Sequence, residues 1–254
     1  MPHCSPGRLV VLSGPSCAGK SPLAKALAKF RPDLFARLQP LVLYNSRDPR
    51  PGECDGVDYH FCSRTHVEAL HADNRYALLD VRGDLQALDL QDLQQLSSQG
   101  DVFFEGNPMV GRTILSHPSL AQFPRLSAFL APLSAEEIAF LSASGRNINL
   151  KDLVTDVMRR KLLRRTRRQK GELSLKDLEN IERRAGSAYS ELRLAHHFEN
   201  VIPNHDGEDS ENWDAFYYPL GDARKALSAF VALLEGRPSP YIEKWNADLL
   251  PEIQ

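Results

Sequence analysis

Gly14-Pro15-Ser16-Cys17-Ala18-Gly19-Lys20-Ser21 fits G-x-x-x-x-G-K-[ST] at every defined position. Just before it, Leu9-Val10-Val11-Leu12 is a short, wholly apolar run, the pattern of a strand buried on both faces of a parallel sheet. Just after it, Leu23, Leu27 and Phe30 recur at helical spacing until Pro32 stops the helix. In a strand–loop–helix of this kind the glycines let consecutive backbone N–H groups turn toward phosphates at a helix N-terminus. Lys20 is then placed to reach the β- and γ-phosphates, and the Ser21 hydroxyl to coordinate Mg²⁺. Pro22 is compatible, because the first turn of a helix tolerates a missing N–H. Gly14, Pro15, Ser16, Cys17, Ala18, Gly19, Lys20, Ser21 and Pro22 are therefore the candidate ATP-binding residues, with Ser21 as metal ligand and Lys20 as catalytic cation. Cys17 reads as a small residue tolerated in the loop; it becomes a modification site only if the loop amides stabilise its thiolate.

Outward from this loop, strands are expected at 75–81, 101–105, 127–130 and 200–203. Helices are expected at 65–72, 90–98, 134–142, 150–168, 174–196 and 222–235. Ser134-x-x-Glu137 and Ser174-x-x-Asp177 are capping-box patterns at two of the helix starts. Strands alternating with helices predict an α/β fold of the P-loop NTPase kind, with a mostly parallel central sheet flanked by helices. Of 254 residues, 42% are apolar and 25% charged, enough to bury a sizeable core. The 31 Lys and Arg nearly balance 33 Asp and Glu, so bulk positive charge offers no basis for nucleic-acid binding. No apolar run is long enough to cross a bilayer, and no signal peptide is expected. Four cysteines (Cys4, Cys17, Cys54, Cys62) match no zinc spacing and are expected as free thiols in a cytoplasmic protein. The pair His196-His197 reads as a helix-end feature rather than a metal pair, since adjacent residues face different ways.

A second constellation runs from Asn45 to Phe61. Arg47 and Arg50, three apart and held by prolines, can grip a dianionic phosphate, and Tyr59 adds a hydroxyl. By itself the stretch reads more readily as a solvated proline-rich loop, a common surface feature. The stretch resembles the acceptor-site signature of guanylate kinases, T-T-R-x-P-R-x-G-E-x-x-G-x-D-Y-x-F. Every defined position from Arg47 to Phe61 matches, and Asn45 and Ser46 replace the two threonines. Weaker likenesses follow at Phe129–Ser134, at Ile181-x-x-Arg184-x-x-x-Ala188-x-x-Glu191 and at Val201-Ile202-Pro203-Asn204. The resemblance implies a domain over 8–235, with a core of 8–38, 87–146 and 174–235. It also implies a small acceptor-binding subdomain at about 39–86 and a helical lid with a basic insertion at about 147–173, leaving a tail at 236–254.

The resemblance implies ATP-dependent transfer of a phosphoryl group to a nucleoside monophosphate, GMP first, with Mg²⁺. Arg47, Arg50 and Tyr59 would hold the acceptor phosphate, with Glu53 bracing the arginines. Arg184 would contact the transferring phosphates, and Asn204 would lie near the adenine. Where the family reads guanine, this chain departs: Leu43 and Tyr44 stand in place of a serine, and Ala77 and Gln86 in place of a glutamate and a tyrosine. Glu105 falls near a base-reading aspartate of the family, and Asp80 or Asp84 could substitute. Acceptor candidates are therefore Arg47, Arg50, Glu53, Tyr59, Glu105 and Tyr44, and another phosphorylated small molecule is an alternative acceptor.

Eight basic residues crowd Arg159–Lys170. Three readings compete: a lid whose arginines, Arg164 and Arg168 first, close over the triphosphate; a nucleic-acid patch; and a solvated face matched to the acids Glu172, Asp177, Glu179 and Glu182. Position favours the lid, and nucleic acid is not expected as a partner. A non-catalytic interaction module is the rival class, against which the intact Gly19-Lys20-Ser21 argues. A monomer or homodimer is expected.

Overall fold

Leu9–Ser13 forms β1, buried along its whole length. The structure, a computed structural model, describes residues 7–49, 52–81, 83–143, 145–146, 148–250 and 252. After the glycine loop come α1 (Lys20–Phe30) and a short α2 (Pro32–Phe35), which starts at the proline that ended α1. The chain continues through β2 (Leu38–Pro40), β3 (Tyr44–Asn45), β4 (His60–Phe61), α3 (Arg64–Leu70), β5 (Tyr76–Val81) and β6 (Asp84–Asp89). Then follow α4 (Leu90–Ser97), β7 (Asp101–Gly106), α5 (Pro108–Ser116), β8 (Arg125–Ala131), α6 (Ala135–Ser142) and α7 (Leu150–Lys170). α8 (Leu175–Gly186), α9 (Ala188–Leu192), β9 (Asn200–Pro203) and α10 (Gly221–Leu234) complete the order.

Side-chain caps start many of these helices. Ser134 and Ser174 form the capping boxes read from the sequence, with Glu137 and Asp177. Asp89 caps α4, and Asn149 caps α7 by accepting from Lys151 N and Asp152 N. One sheet has the order β2-β7-β1-β8-β9, with β2–β7 and β8–β9 parallel. A second, mixed sheet has the order β4-β3-β6-β5. In it β3–β4 is parallel, while β3–β6 and β5–β6 are antiparallel.

By internal contacts the chain divides into two compact units. One comprises residues 36–104 and 109–126 with the N-terminal stretch up to Val11, and contains the mixed sheet. The other comprises 12–35, 105–108 and everything from Ser127 onward, and contains the glycine loop and α6 to α10. Its core is built on Phe129, Leu130, Ile202 and the inward face of α10, where Leu227 and Phe230 are fully buried.

Two expectations need correction. The helix expected at 174–196 is broken into α8, α9 and a 3₁₀ turn, Arg193–His197. At the break Gly186 is followed by Ser187, whose Oγ donates to Arg184 O (3.1 Å) and to Glu191 Oε1 (3.0 Å), competing with the helix ladder. β6 was not expected: its polar–apolar alternation lasts only from Asp84 to Ala87 and breaks at Leu88, and pairing with β3 and β5 makes it a strand. The tail after α10 is mostly irregular and joins β9 by one isolated antiparallel bridge: Val201 N donates to Glu243 O (2.9 Å) and Glu243 N to Val201 O (2.8 Å). Trp245 is buried beside it and donates to Glu243 Oε2.

Candidate active site

Two close approaches explain the spacing of the glycine loop. Gly14 and Gly19 have φ of 152° and 100°. A Cβ at Gly14 would lie 2.5 Å from Leu130 O, and one at Gly19 would lie 2.5 Å from Asn204 Nδ2. The ends of β8 and β9 thus press on the loop, and only glycine fits there. Between them Cys17 sits at φ 68°, a left-handed conformation unusual for a residue with a Cβ. Burial pushes its thiol pKa up, and the neighbouring Glu208 and Asp209 push it further. The stabilised thiolate that a modification site requires is therefore not formed.

Lys20 is buried and donates from Nζ to Gly14 O and Pro15 O, both at 2.8 Å. Burial lowers its pKa, with Glu208, Glu105 and Glu191 acting in the opposite sense. Ser21 Oγ donates to Glu105 Oε1 at 2.7 Å, so the structure brings Glu105, at the end of β7, onto the hydroxyl read as a metal ligand. Arg184, buried on α8, donates from Nε to Ser16 Oγ at 3.1 Å. Asn204 is fully buried, and its Nδ2 donates to Ala18 O (2.8 Å) and Asp206 O (2.7 Å), bracing the loop from behind. All these groups belong to one compact unit.

The basic run is α7, and most of it is paired. Arg159 donates to Glu182 (2.7 Å) and Lys170 to Asp177 (2.5 Å), the acids that a solvated face would use. Arg164 instead pairs with Asp209 (2.8 Å) and Arg168 with Glu211 (3.4 Å), both in the segment that follows β9. Two carboxylates were given no site role from the sequence. Glu191 accepts from Asn107 Nδ2 at 3.1 Å, and Glu208 lies within electrostatic reach of Lys20, Arg165 and Arg184. The available signal for Glu208 was its place in a short acidic loop whose charge opposes that of α7.

The second constellation lies in the other unit. Arg47 makes a bidentate pair with Glu53, two N–H···O contacts of 2.7 Å, and its guanidinium stands 5.1 Å from the Tyr59 ring centroid. The acids of the motif shape this loop. Asp58 accepts from Cys54 N (2.8 Å), Asp55 accepts from Phe61 N (2.7 Å), and Gly56 N donates to Tyr59 O (2.8 Å). Arg50 lies outside the described residues. Tyr44 packs on His60 and Tyr76 with ring centroids 4.9 and 5.8 Å apart. Gln86 is buried opposite Asn45 in the β3–β6 pair, and Ala77 stands opposite Leu88. Asp80 Oδ1 accepts from Gly83 N at the β5–β6 turn. Among the described residues no cluster of three or more His, Cys, Asp or Glu forms a metal site, and no helix is long and apolar enough to cross a membrane.

Comparison with known proteins follows the same two motifs. A family model described as guanylate kinase matches residues 6–79. A guanylate kinase from Thiobacillus denitrificans is 48% identical over 75 residues, a match that spans 30% of this chain and 34% of that protein. One from Corynebacterium jeikeium is 43% identical, over 32% of this chain and 41% of its own length. The chain thus matches well under half the length of these two relatives. A guanylate kinase from Alkalilimnicola ehrlichii aligns end to end, 32% identical over 96% of this chain and 99% of its own. Among solved structures, guanylate kinase from Anaplasma phagocytophilum has the same fold, with a TM-score of 0.52 and 16% identity over 91% of this chain and 86% of its own.

Proposed function

The chain belongs to the guanylate kinase family, and on that premise we propose that it moves the γ-phosphoryl group of ATP onto the phosphate of a nucleoside monophosphate, with GMP as first candidate. The observation that carries this reading is the complete phosphate loop: glycines at both constrained positions, Lys20 inside, and Ser21 in contact with Glu105. An interaction module would have no use for these groups.

In this reading the backbone N–H groups of residues 16–21 and Lys20 take the donor phosphates, and Arg184, one hydrogen bond from Ser16, offsets the charge that develops on them. Arg164 and Arg168 would join them on leaving their acidic partners. The pair Ser21 and Glu105 offers hard oxygen donors of the kind Mg²⁺ accepts alongside phosphates and water. Mg²⁺ held there would neutralise charge on the β- and γ-phosphates. On the acceptor side, Arg47, Arg50 and Tyr59 would hold the monophosphate, with Glu53 fixing the plane of the Arg47 fork. No general base is needed, because the attacking oxygen belongs to an ionised phosphate. Catalysis is positioning plus charge neutralisation.

The acceptor base is left open by Ala77 and Gln86. The test is ATP consumption over nucleoside monophosphates, deoxynucleotides and sugar phosphates, with Arg47→Ala and Lys20→Ala as controls. Turnover that depends on one acceptor and is lost in both variants supports the proposal. Absence of turnover with every acceptor, in a protein that still binds ATP, refutes it.

A further inference from the structure

The connection from β9 to α10 is far longer than the roughly 2–6 residues usual between a strand and a helix, and it is fastened onto the phosphate loop. Gly207 approaches Cys17 O so closely that any Cβ would overlap it. Asp209 is held by Arg164 (2.8 Å) and stands 3.9 Å from Lys161, whose Nζ also donates to His205 O. Trp213 Nε1 clamps the turn from the other side, donating to Asp206 O (2.9 Å) and Gly207 O (3.1 Å). The turn so held presents Glu208. Its Oε2 is buried with no hydrogen-bond partner among the described residues, an expensive arrangement for a carboxylate. Lys20, Arg165 and Arg184 are the cations within its electrostatic reach. Burial alone would raise the Glu208 pKa, yet these charges and the Cys17 thiol hold it below the ordinary glutamate value, so the group is an anion.

A triphosphate needs the same cations. Two sets of buried negative charge cannot share them, because like charges brought together in a low-dielectric site repel strongly. We propose that the 205–213 segment is a latch on the phosphate loop, with the Glu208 carboxylate in the electrostatic place of a donor phosphate, and that a nucleoside triphosphate must displace it in order to bind. The proposal rests on the ATP-binding reading of the loop and adds an autoinhibitory contact to it. Donor affinity is then the difference between phosphate binding and latch release, a coupling that either partner can shift.

The test is calorimetric titration of the full chain with Mg-ATP and, separately, with inorganic tripolyphosphate. Glu208→Gln keeps the shape and removes the charge; Gly207→Ala keeps the charge and breaks the close contact. Both variants are expected to bind ATP about tenfold more tightly than the wild type, the usual size of such couplings. Tripolyphosphate should gain by the same factor, because the contest is over phosphate rather than base. A Glu208→Gln protein that binds ATP as the wild type does, or more weakly, overturns the latch and leaves the donor site standing. Failure of wild type and Glu208→Gln alike to bind ATP or tripolyphosphate overturns the donor-site reading and the latch with it.

Discussion

Asn204 is where the last strand grips the phosphate loop, and replacing it tests the account of that loop most directly. Its Nδ2 makes two hydrogen bonds, to Ala18 O at 2.8 Å and Asp206 O at 2.7 Å, and the side chain is fully buried. Its Oδ1 also accepts from Asp206 N at 3.2 Å; Asp206 O retains the Trp213 indole as a donor, so Asn204→Ala orphans chiefly Ala18 O and Asp206 N. Three hydrogen bonds at about 1 kcal/mol each, plus about 1–2 kcal/mol for the groups left unpaired, predict a loss of about 4 kcal/mol. In a domain of this size that lowers Tm by about 10 °C. Asn204→Asp sharpens the test: it conserves volume but turns the donor into an acceptor facing two carbonyl oxygens. It should therefore be at least as destabilising as alanine at pH 7 and recover part of the loss as the pH falls and the acid protonates. Urea unfolding followed by circular dichroism measures both, and KM for ATP should rise in both. An aspartate variant as stable as the wild type at pH 7 would refute the assignment of Nδ2 as the loop's brace.

Further expectations concern the site and its surroundings. Gly19→Ala puts a Cβ at φ 100° and 2.5 Å from Asn204 Nδ2, so it should reduce ATP affinity and melt at a lower temperature; an unchanged melt would show that the contact yields freely. Glu105→Gln keeps a partner for Ser21 but removes charge beside the hydroxyl proposed to hold Mg²⁺. It should lower kcat about 100-fold and raise the Mg²⁺ concentration needed for half activity, read by titrating Mg²⁺ at saturating ATP. Glu53→Gln should raise KM for the acceptor while leaving KM for ATP near its original value, because it loosens the Arg47 fork. His205 bridges Asp222 (2.5 Å) and Glu137 (2.8 Å); burial lowers its pKa, but the two carboxylates prevail and raise it above the ordinary value. The stability it contributes is complete below about pH 6.5 and is lost as the pH climbs through the raised value. Urea midpoints between about pH 6 and 9 should decline in the wild type, and the decline should flatten in His205→Gln.

How far the sequence could be read depended on where each element gets its stability. β1 and α1 announce themselves because burial on both faces requires an unbroken apolar run and the phosphate loop requires glycines at fixed places. The 45–61 loop was legible for a similar reason: Asp55, Asp58 and Gly56 serve local turns, so the motif carries its own conformation. β6 was not legible, because partners distant in sequence make it a strand despite Asp84 and Gln86. The break after Gly186 depends on one serine hydroxyl choosing the backbone, which helical spacing does not reveal. Glu105 was placed by analogy on the acceptor base, yet its carboxylate meets Ser21, a contact across 84 positions that no local pattern encodes. Glu208 was visible only as one acid among several. Its burial beside Lys20 arises from Gly207 lying flat on Cys17 and from Trp213 behind it, both consequences of three-dimensional packing.

The bridge between Glu243 and Val201 has a practical reading for anyone designing versions of this protein. β9 ends its sheet, and an uncovered end strand is a template on which other chains add. Here the chain's own tail occupies that position, and Glu243 Oε2 also accepts from Ala135 N at the start of α6. A version cut just after α10, where the catalytic elements end, would retain every group discussed for phosphate transfer and still expose that strand edge along with the surface under Trp245. It should express as soluble aggregates or concentration-dependent oligomers, while a version carried through Leu250 stays dispersed.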